Sequence, residues 1–465
     1  MSSWRWDQIR VAFARGVGRL LLAALAASFV LRPASGTTLA AWVQLGPNNE
    51  QRREPNVVVR AIIDGGECPV LRADGQLFPM MLRATPEMVL KGVASARFPV
   101  RSCEANVSSP IVGLTLDNMP LPLKRGEPSR IVIIGDTGCR VEKGEKYRLQ
   151  DCNDPEAWPY AKMARHAADA RPDLVIHVGD FHYREAACPE GRVGCKGSPH
   201  GPGWDVWNAD FFEPSAPLFA AAPWIMVRGN RETCARAGEG WFRFLDANTM
   251  PTECSDFTDP IAITLGDFAF VVMDTASADL KEPAVKRLQP DGLHELLKSH
   301  FQAARRLLAP GAEGWLLTHR PIYGLRSHKS AAPNNTASYV FDNTALQAAA
   351  AHPADLLSSF ELIVSGHIHA FEALNVEAAV GGQLHRSSQL VVGSSGGTLE
   401  PLEAGCNVEG RNGPVKAKGL AIRRFLYAVW DRNGNEWRGS LFSADGEITT
   451  HCRLQGGSLS CDCVT

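Results

Sequence analysis

Arg130-Ile131-Val132-Ile133-Ile134-Gly135-Asp136-Thr137-Gly138 is a short apolar run that stops on an aspartate. Its β-branched residues suit a strand, and the lack of polar alternation suits one covered on both faces. The same pattern recurs downstream. Leu174-Val175-Ile176-His177-Val178-Gly179 ends at Asp180, and Pro223-Trp224-Ile225-Met226-Val227-Arg228-Gly229 ends at Asn230. Gly314-Trp315-Leu316-Leu317-Thr318 ends at His319. Glu361-Leu362-Ile363-Val364-Ser365-Gly366 ends at His367, with His369 two residues further on.

Helices fit between these runs. Asp154-Pro155 offers an N-cap and a first-turn proline for a helix over 156–170. Leu293, Leu296, Leu297, His300, Phe301, Ala304, Leu307 and Leu308 trace one helical face. Strands alternating with helices predict an α/β fold in which helices cover a sheet and ligands gather at the carboxyl ends of strands. Five strand ends bearing Asp, Asp, Asn, His and His-x-His then point at one place. These are oxygen and nitrogen donors suited to divalent or trivalent first-row metals rather than to soft copper(I). They exceed what one tetrahedral zinc accepts, so two metals sharing a carboxylate is the economical reading.

The flanks have a different character. Residues 37–125 are β-type, with Val57-Val58-Val59-Arg60-Ala61-Ile62-Ile63 and Pro110-Ile111-Val112-Gly113-Leu114-Thr115-Leu116 as clear runs. A small all-β domain is predicted there, with helical pattern only over 86–95. Lys124-Arg125-Gly126-Glu127-Pro128 is a polar linker into a catalytic domain at 129–400. Residues 401–465 return to β character as a cysteine-containing tail that completes or packs on that domain.

The N-terminus reads as an export leader. Arg5, Arg10, Arg15 and Arg19 precede the apolar run from Leu20 to Leu31, and Ala34-Ser35-Gly36 offers a cleavage site. A run this short falls below the roughly 20 residues that span a bilayer, so a signal peptide over 1–36 is predicted rather than an anchor. The chain of 465 residues carries 48 basic and 50 acidic side chains, a net charge of −2. The leader holds five arginines and one aspartate, which leaves 43 basic against 49 acidic residues, or −6. That balance argues against a nucleic-acid partner. Twelve cysteines are many for a reducing cytosol and predict disulfides in a secreted or periplasmic protein. Cys68 with Cys103, Cys139 with Cys152, and Cys188 with Cys195 are candidate pairs; Cys452, Cys461 and Cys463 crowd the tail.

Gly135-Asp136-Thr137-Gly138, Gly179-Asp180-Phe181-His182-Tyr183, Gly229-Asn230-Arg231-Glu232, Thr318-His319 and Gly366-His367-Ile368-His369 resemble the ordered motifs of the calcineurin-like metallophosphoesterases. Within that superfamily, the first motif and the tyrosine three residues after the second aspartate resemble the purple acid phosphatases. The resemblance covers residues 130–370. It implies a two-sheet β sandwich flanked by helices and a dinuclear site. Carried over, Asp136, Asp180, Tyr183 and His369 hold one metal. Asp180 bridges to a second metal held by Asn230, His319 and His367. A phenolate from Tyr183 favours Fe(III), beside a divalent Fe, Zn or Mn.

Two positions depart from the family pattern. Arg231 stands where the family has a histidine that contacts phosphate. An arginine cannot deliver a proton near neutral pH, but it can clamp phosphate oxygens. Its other reading is a salt bridge to Glu232 or another acid. His328, nine residues after His319, resembles the second catalytic histidine of purple acid phosphatases and is a candidate general acid. His177 and His300 read as core histidines, and His182, inside the second motif, reads as structural with contact to substrate or to a ligand residue as its alternative. The expected function is hydrolysis of a small phosphate monoester by a metal-activated hydroxide. A phosphodiesterase or nucleotide hydrolase on the same site is one alternative, and a non-catalytic secreted binding protein is another. No membrane anchor is expected after leader cleavage. Nothing in the residue pattern sets the oligomeric state.

Overall fold

The computed structural model describes residues 36–49, 55–107, 111–124, 126–143, 149–309, 311–329, 337–351, 359–380 and 383–463. Residues 1–35 of the predicted leader lie outside these residues, as does Asn334-Asn335-Thr336, an N-x-Thr glycosylation acceptor pattern. Residues Ser35–Thr465 form one compact unit.

Two large sheets carry the fold. At the centre of the first, Arg130–Ile134, Leu174–His177 and Trp224–Met226 lie side by side and parallel. At the centre of the second, Phe268–Val272, Glu313–Leu317, Leu362–Ser365 and Gln383–Val392 are also parallel neighbours. Side chains alternate across each strand, so every run must be apolar on both faces. Ile131, Ile133, Leu174, Ile176, Trp315, Leu317 and Val364 meet in the layer between the sheets. Val132, Ile134 and Val175 turn outward onto Tyr160, Met163 and Ala167 of the Tyr160–Asp169 helix. Leu316 and Ile363 turn outward onto Leu293, Leu297, Phe301 and Ala304 of the Gln289–Leu307 helix. The sandwich flanked by helices is therefore the predicted α/β fold.

One helix begins later than predicted. Its first residue is Tyr160, and residues 154–158 form turns in which Asp154 Oδ1 accepts from Glu156 N at 2.9 Å. Pro159 is the reason. The residue before a proline is disfavoured in the helical region, whereas proline itself fits where a helix starts. Residues 86–95 form turns and extended chain rather than a helix. Lys91 bridges to Glu253 there.

The N-terminal all-β region precedes the catalytic strands and continues their sheet. Gln44 of Thr38–Asn48 pairs with Trp224, and Pro55–Ile63, Arg101–Val107 and Met81–Ala84 extend outward in that order. Buried arginines fasten this region to the Trp241–Leu245 helical turn and the residues just after it. Arg60 donates to the Asp246 carbonyl at 2.7 Å, and Arg83 to those of Phe242 at 2.7 Å and Asn248 at 2.8 Å. The donors satisfy carbonyls that a helix end leaves without partners. On the other side, Leu426–Asn433 runs antiparallel to Arg130–Ile134, with Val429 opposite Val132. Near 125 the chain passes from a separate four-stranded sheet of Gln76–Pro79, Val70–Ala73, Leu114–Leu116 and Met119–Leu121 into the first large sheet, whereas Gln383–Val392 and Gly405–Asn412, on either side of 400, share the second.

Disulfides join Cys68–Cys103, Cys139–Cys152, Cys188–Cys195, Cys234–Cys254, Cys406–Cys463 and Cys452–Cys461. No helix among the described residues is long and apolar enough to cross a membrane.

Candidate metal centre

The carboxyl ends of the parallel strands from both sheets meet. Asp136 N donates to the Gly179 carbonyl at 2.9 Å, Gly366 N to the His319 carbonyl at 3.0 Å, and His367 N to Asp136 Oδ2 at 2.9 Å. Asp136, Asp180 and His367 take left-handed backbone conformations, with φ of 56°, 60° and 70°. Such conformations cost on the order of 1–3 kcal/mol each in ordinary residues and concentrate at functional sites. Here they turn three side chains inward from three strand ends. The glycine ahead of each second- and third-motif residue has a steric cause. A Cβ on Gly179 (φ 96°) would lie 2.5 Å from His319 Nδ1, and one on Gly229 would strike the Asp180 backbone.

Two overlapping donor groups result. Asp180, His319 and His367 form one, and Asp136, Asp180 and His369 the other; within each, one ligand atom per residue lies within 4.8 Å of the rest. Asn230 and Tyr183 complete them. Asn230 Oδ1 stands 3.0 Å from His319 Nε2 and 2.8 Å from His367 Nδ1. The Tyr183 hydroxyl stands 2.9 Å from Asp136 Oδ1, 2.7 Å from Asp180 Oδ2 and 2.7 Å from His369 Nε2.

These residues fit cations. The single Tyr183 proton faces two carboxylates and an imidazole nitrogen, and it can satisfy one of the three. His319 Nδ1 donates to the Val178 carbonyl at 2.8 Å, and His369 Nδ1 to that of Thr398 at 2.8 Å. Those bonds turn both Nε2 atoms into the site, that of His319 towards the Asn230 oxygen at 3.0 Å and that of His369 towards the Tyr183 hydroxyl at 2.7 Å and Arg140 Nη2 at 3.1 Å. Lone pairs converging in a buried space are the arrangement that a metal neutralises, with backbone carbonyls fixing the histidine tautomers. His367 Nε2 lies between Arg320 Nη1 at 3.0 Å and Asp342 Oδ2 at 3.5 Å.

Electrostatics agree with that geometry. Burial opposes charge on Asp180, yet His319 and Arg231 hold its carboxyl well below the usual range. Burial likewise opposes charge on His319, but Asp180 lifts it to about 9. Burial and both carboxylates push the Tyr183 phenol well above its ordinary value. A phenolate there requires a strong positive charge in return.

Arg231 takes the ion-pair alternative in this structure, with acids other than Glu232. Its guanidinium pairs with Glu142 and, at 3.0 Å, with Glu185, and it lies 4.5 Å from the Tyr183 ring centroid. His328 belongs to the Leu325–Lys329 strand, in register with Ser338, and its side chain lies outside the described set. His177 is a core residue as predicted: Nε2 meets Thr137 Oγ1 at 2.9 Å, and the ring stacks on Phe181. His182 Nε2 donates to the Gly201 carbonyl at 2.8 Å.

Several supporting residues escaped the sequence reading. Glu232 accepts backbone N–H bonds from Asp180, Phe181, His182 and Gly229 at 3.0–3.2 Å, organising the turn that presents Asp180. Burial and Asp180 raise its carboxyl to about 8. Its place two residues after Asn230, inside the third motif, was the available signal. Asp210 accepts from the backbone of Cys139 and Tyr183 and from Arg184 Nε at 2.7 Å. It lies on a helical segment far from every motif, and nothing in its neighbours marks it.

Residues 129–371, just over half of the chain, match the model of the calcineurin-like phosphoesterase family. The chain belongs to that family, whose members are metal-dependent phosphoester hydrolases. It is 22% identical over 300 residues to purple acid phosphatase 23 of Arabidopsis thaliana, a match covering 60% of this chain and 55% of that protein. The chain thus spans about half the length of this curated relative. Among solved structures, it is similar to a conserved uncharacterized protein of Streptococcus pneumoniae (11% identity, 69% of this chain and 93% of that one, TM-score 0.23). A second is Vps29 of Entamoeba histolytica (13% identity, 72% and 97% covered, TM-score 0.24).

Proposed function

We propose that this protein is a secreted dinuclear-metal phosphatase acting on small phosphate monoesters. One observation carries the reading: Asp180 belongs to both donor groups, which is the geometry of a carboxylate shared between two cations. In this reading Asp136, Tyr183 and His369 join Asp180 around an Fe(III). Asn230, His319 and His367 join it around a divalent Fe, Zn or Mn. Bound metals supply a nucleophile from water near neutral pH and neutralise phosphoryl oxygens.

The chain's own residues do the rest. Glu232 and the Val178 and Thr398 carbonyls hold the ligand side chains in place before substrate arrives. Arg231, kept beside Tyr183 by Glu142 and Glu185, stabilises charge on the phosphoryl group. His328 protonates the leaving alkoxide. Six disulfides support an oxidising compartment and hence secretion.

Metal analysis, a visible spectrum and aryl phosphate hydrolysis test the proposal together. Two metals per chain, a phenolate-to-iron absorption band and monoester turnover are expected. A colourless active protein discards iron and the Tyr183 assignment. Metal-loaded protein without turnover discards the enzyme.

A further inference from the structure

Arg140, Glu142 and Arg231 form a charged cluster against the donor residues. Glu142 Oε1 stands 3.5 Å from Arg140 Nε and pairs with Arg231 Nη2. Both guanidinium groups lie over the Tyr183 ring, at 5.1 and 4.5 Å from its centroid, and Arg140 Nη2 reaches His369 Nε2 at 3.1 Å. The two arginines are 4% and 8% exposed, whereas the Glu142 side chain is 22% exposed. Arg140 Nε and Arg231 Nε have no hydrogen-bond partner among the described residues. Two buried cations therefore share the part-exposed carboxylate of Glu142, while Arg231 keeps a second partner in Glu185 at 3.0 Å.

A carboxylate and a phosphoryl group offer a guanidinium the same kind of oxygen acceptors. We infer that Glu142 occupies an oxyanion seat, built by Arg140 and Arg231, which a substrate phosphoryl group takes by displacing it. This rests on the phosphatase reading and narrows its substrate class. A monoester dianion brings more charge to the two guanidinium groups than the carboxylate it displaces. A diester monoanion brings the same charge and gains nothing from the exchange. The seat therefore selects monoesters.

Calorimetric titration of the metal-loaded chain with inorganic phosphate tests the seat. Removing the competing charge in Glu142→Gln tightens phosphate binding by about fivefold. Removing one donor in Arg140→Gln weakens it by about tenfold or more. The ratio of aryl monoester to bis-aryl ester kcat/KM falls several-fold in Arg140→Gln, because a dianion loses more than a monoanion when one guanidinium is removed. Unchanged or weaker phosphate binding in Glu142→Gln, at wild-type melting temperature and metal content, overturns the inference. Should that variant fail to fold, Glu142→Asp, whose carboxylate is withdrawn by one methylene, must still bind phosphate more tightly than wild type; equal affinity overturns it as well. If wild type hydrolyses no ester, the phosphatase reading falls, while the order of phosphate affinities still decides whether the seat exists.

Discussion

The Tyr183 hydroxyl lies 2.7 Å from Asp180 Oδ2, although the two residues are only three apart in the chain. The turn between them is held by Glu232, which accepts the N–H groups of Asp180, Phe181 and His182, and by Asp210, which accepts that of Tyr183. A carboxylate and a phenol are thereby aimed at the same point. Removing either end of this pair tests a different part of the proposed site.

Asp180→Asn keeps the shape of the side chain and removes the shared charge. Metal content is expected to fall by at least one ion per chain, with loss of most aryl phosphatase activity. Elemental analysis beside the rate assay checks this. Full activity at unchanged metal content would sink the dinuclear model.

Tyr183→Phe removes a single oxygen from the cluster. In iron-loaded protein the visible charge-transfer band is expected to vanish while the divalent metal stays. A spectrum recorded with parallel metal analysis decides it. A band that survives the substitution excludes Tyr183 as the iron ligand.

Cys139 directly follows the first motif, and its bond to Cys152 closes a short loop beside Asp136. Cross-linking a loop of this size stabilises a fold by about 3 kcal/mol in the chain-entropy account. The double variant Cys139→Ser/Cys152→Ser should lose about that much in denaturant unfolding and bind metal more weakly. Wild-type stability would show that the loop is braced by other contacts.

Glu372 is fully buried on the Phe371–Val380 strand, where burial raises its carboxyl to about 8. An acid with a raised value holds its proton longer in the folded state. Its contribution is thus fully present below the ordinary carboxylate range, near 4.5, and is lost as pH rises through about 8. The melting temperature of wild type should decline across that window by several degrees more than that of Glu372→Gln. Parallel slopes in a thermal unfolding series would contradict the assignment.

How much of this was legible in residue order follows from what each feature depends on. The apolar runs ending at Asp136, Asp180, Asn230, His319 and His367 depend on strand burial and on where strands end, both local properties. Their pattern predicted a helix-covered sheet and the convergence of donors, while the two-sheet sandwich came from the family resemblance of the motifs. The helix expected over 156–170 starts at Tyr160 because Pro159 keeps Trp158 out of the helical region, which overrides the earlier Asp154-Pro155 start signal. The N-terminal strands carried no mark of joining the catalytic sheet, since the pairing of Gln44 with Trp224 spans a long stretch of intervening chain.

The amino-acid order alone carried the donor types, their sequence and the strands that present them, because period and composition act over a few residues. It could not carry the partners of Arg231. Glu142 and Glu185 come from different loops, and only the folded backbone brings them to one guanidinium. The same holds for the Val178 and Thr398 carbonyls that orient His319 and His369, and for the side chain of Asp210. Contacts between residues far apart in the chain are set by how sheets stack and loops cross, which no local pattern encodes.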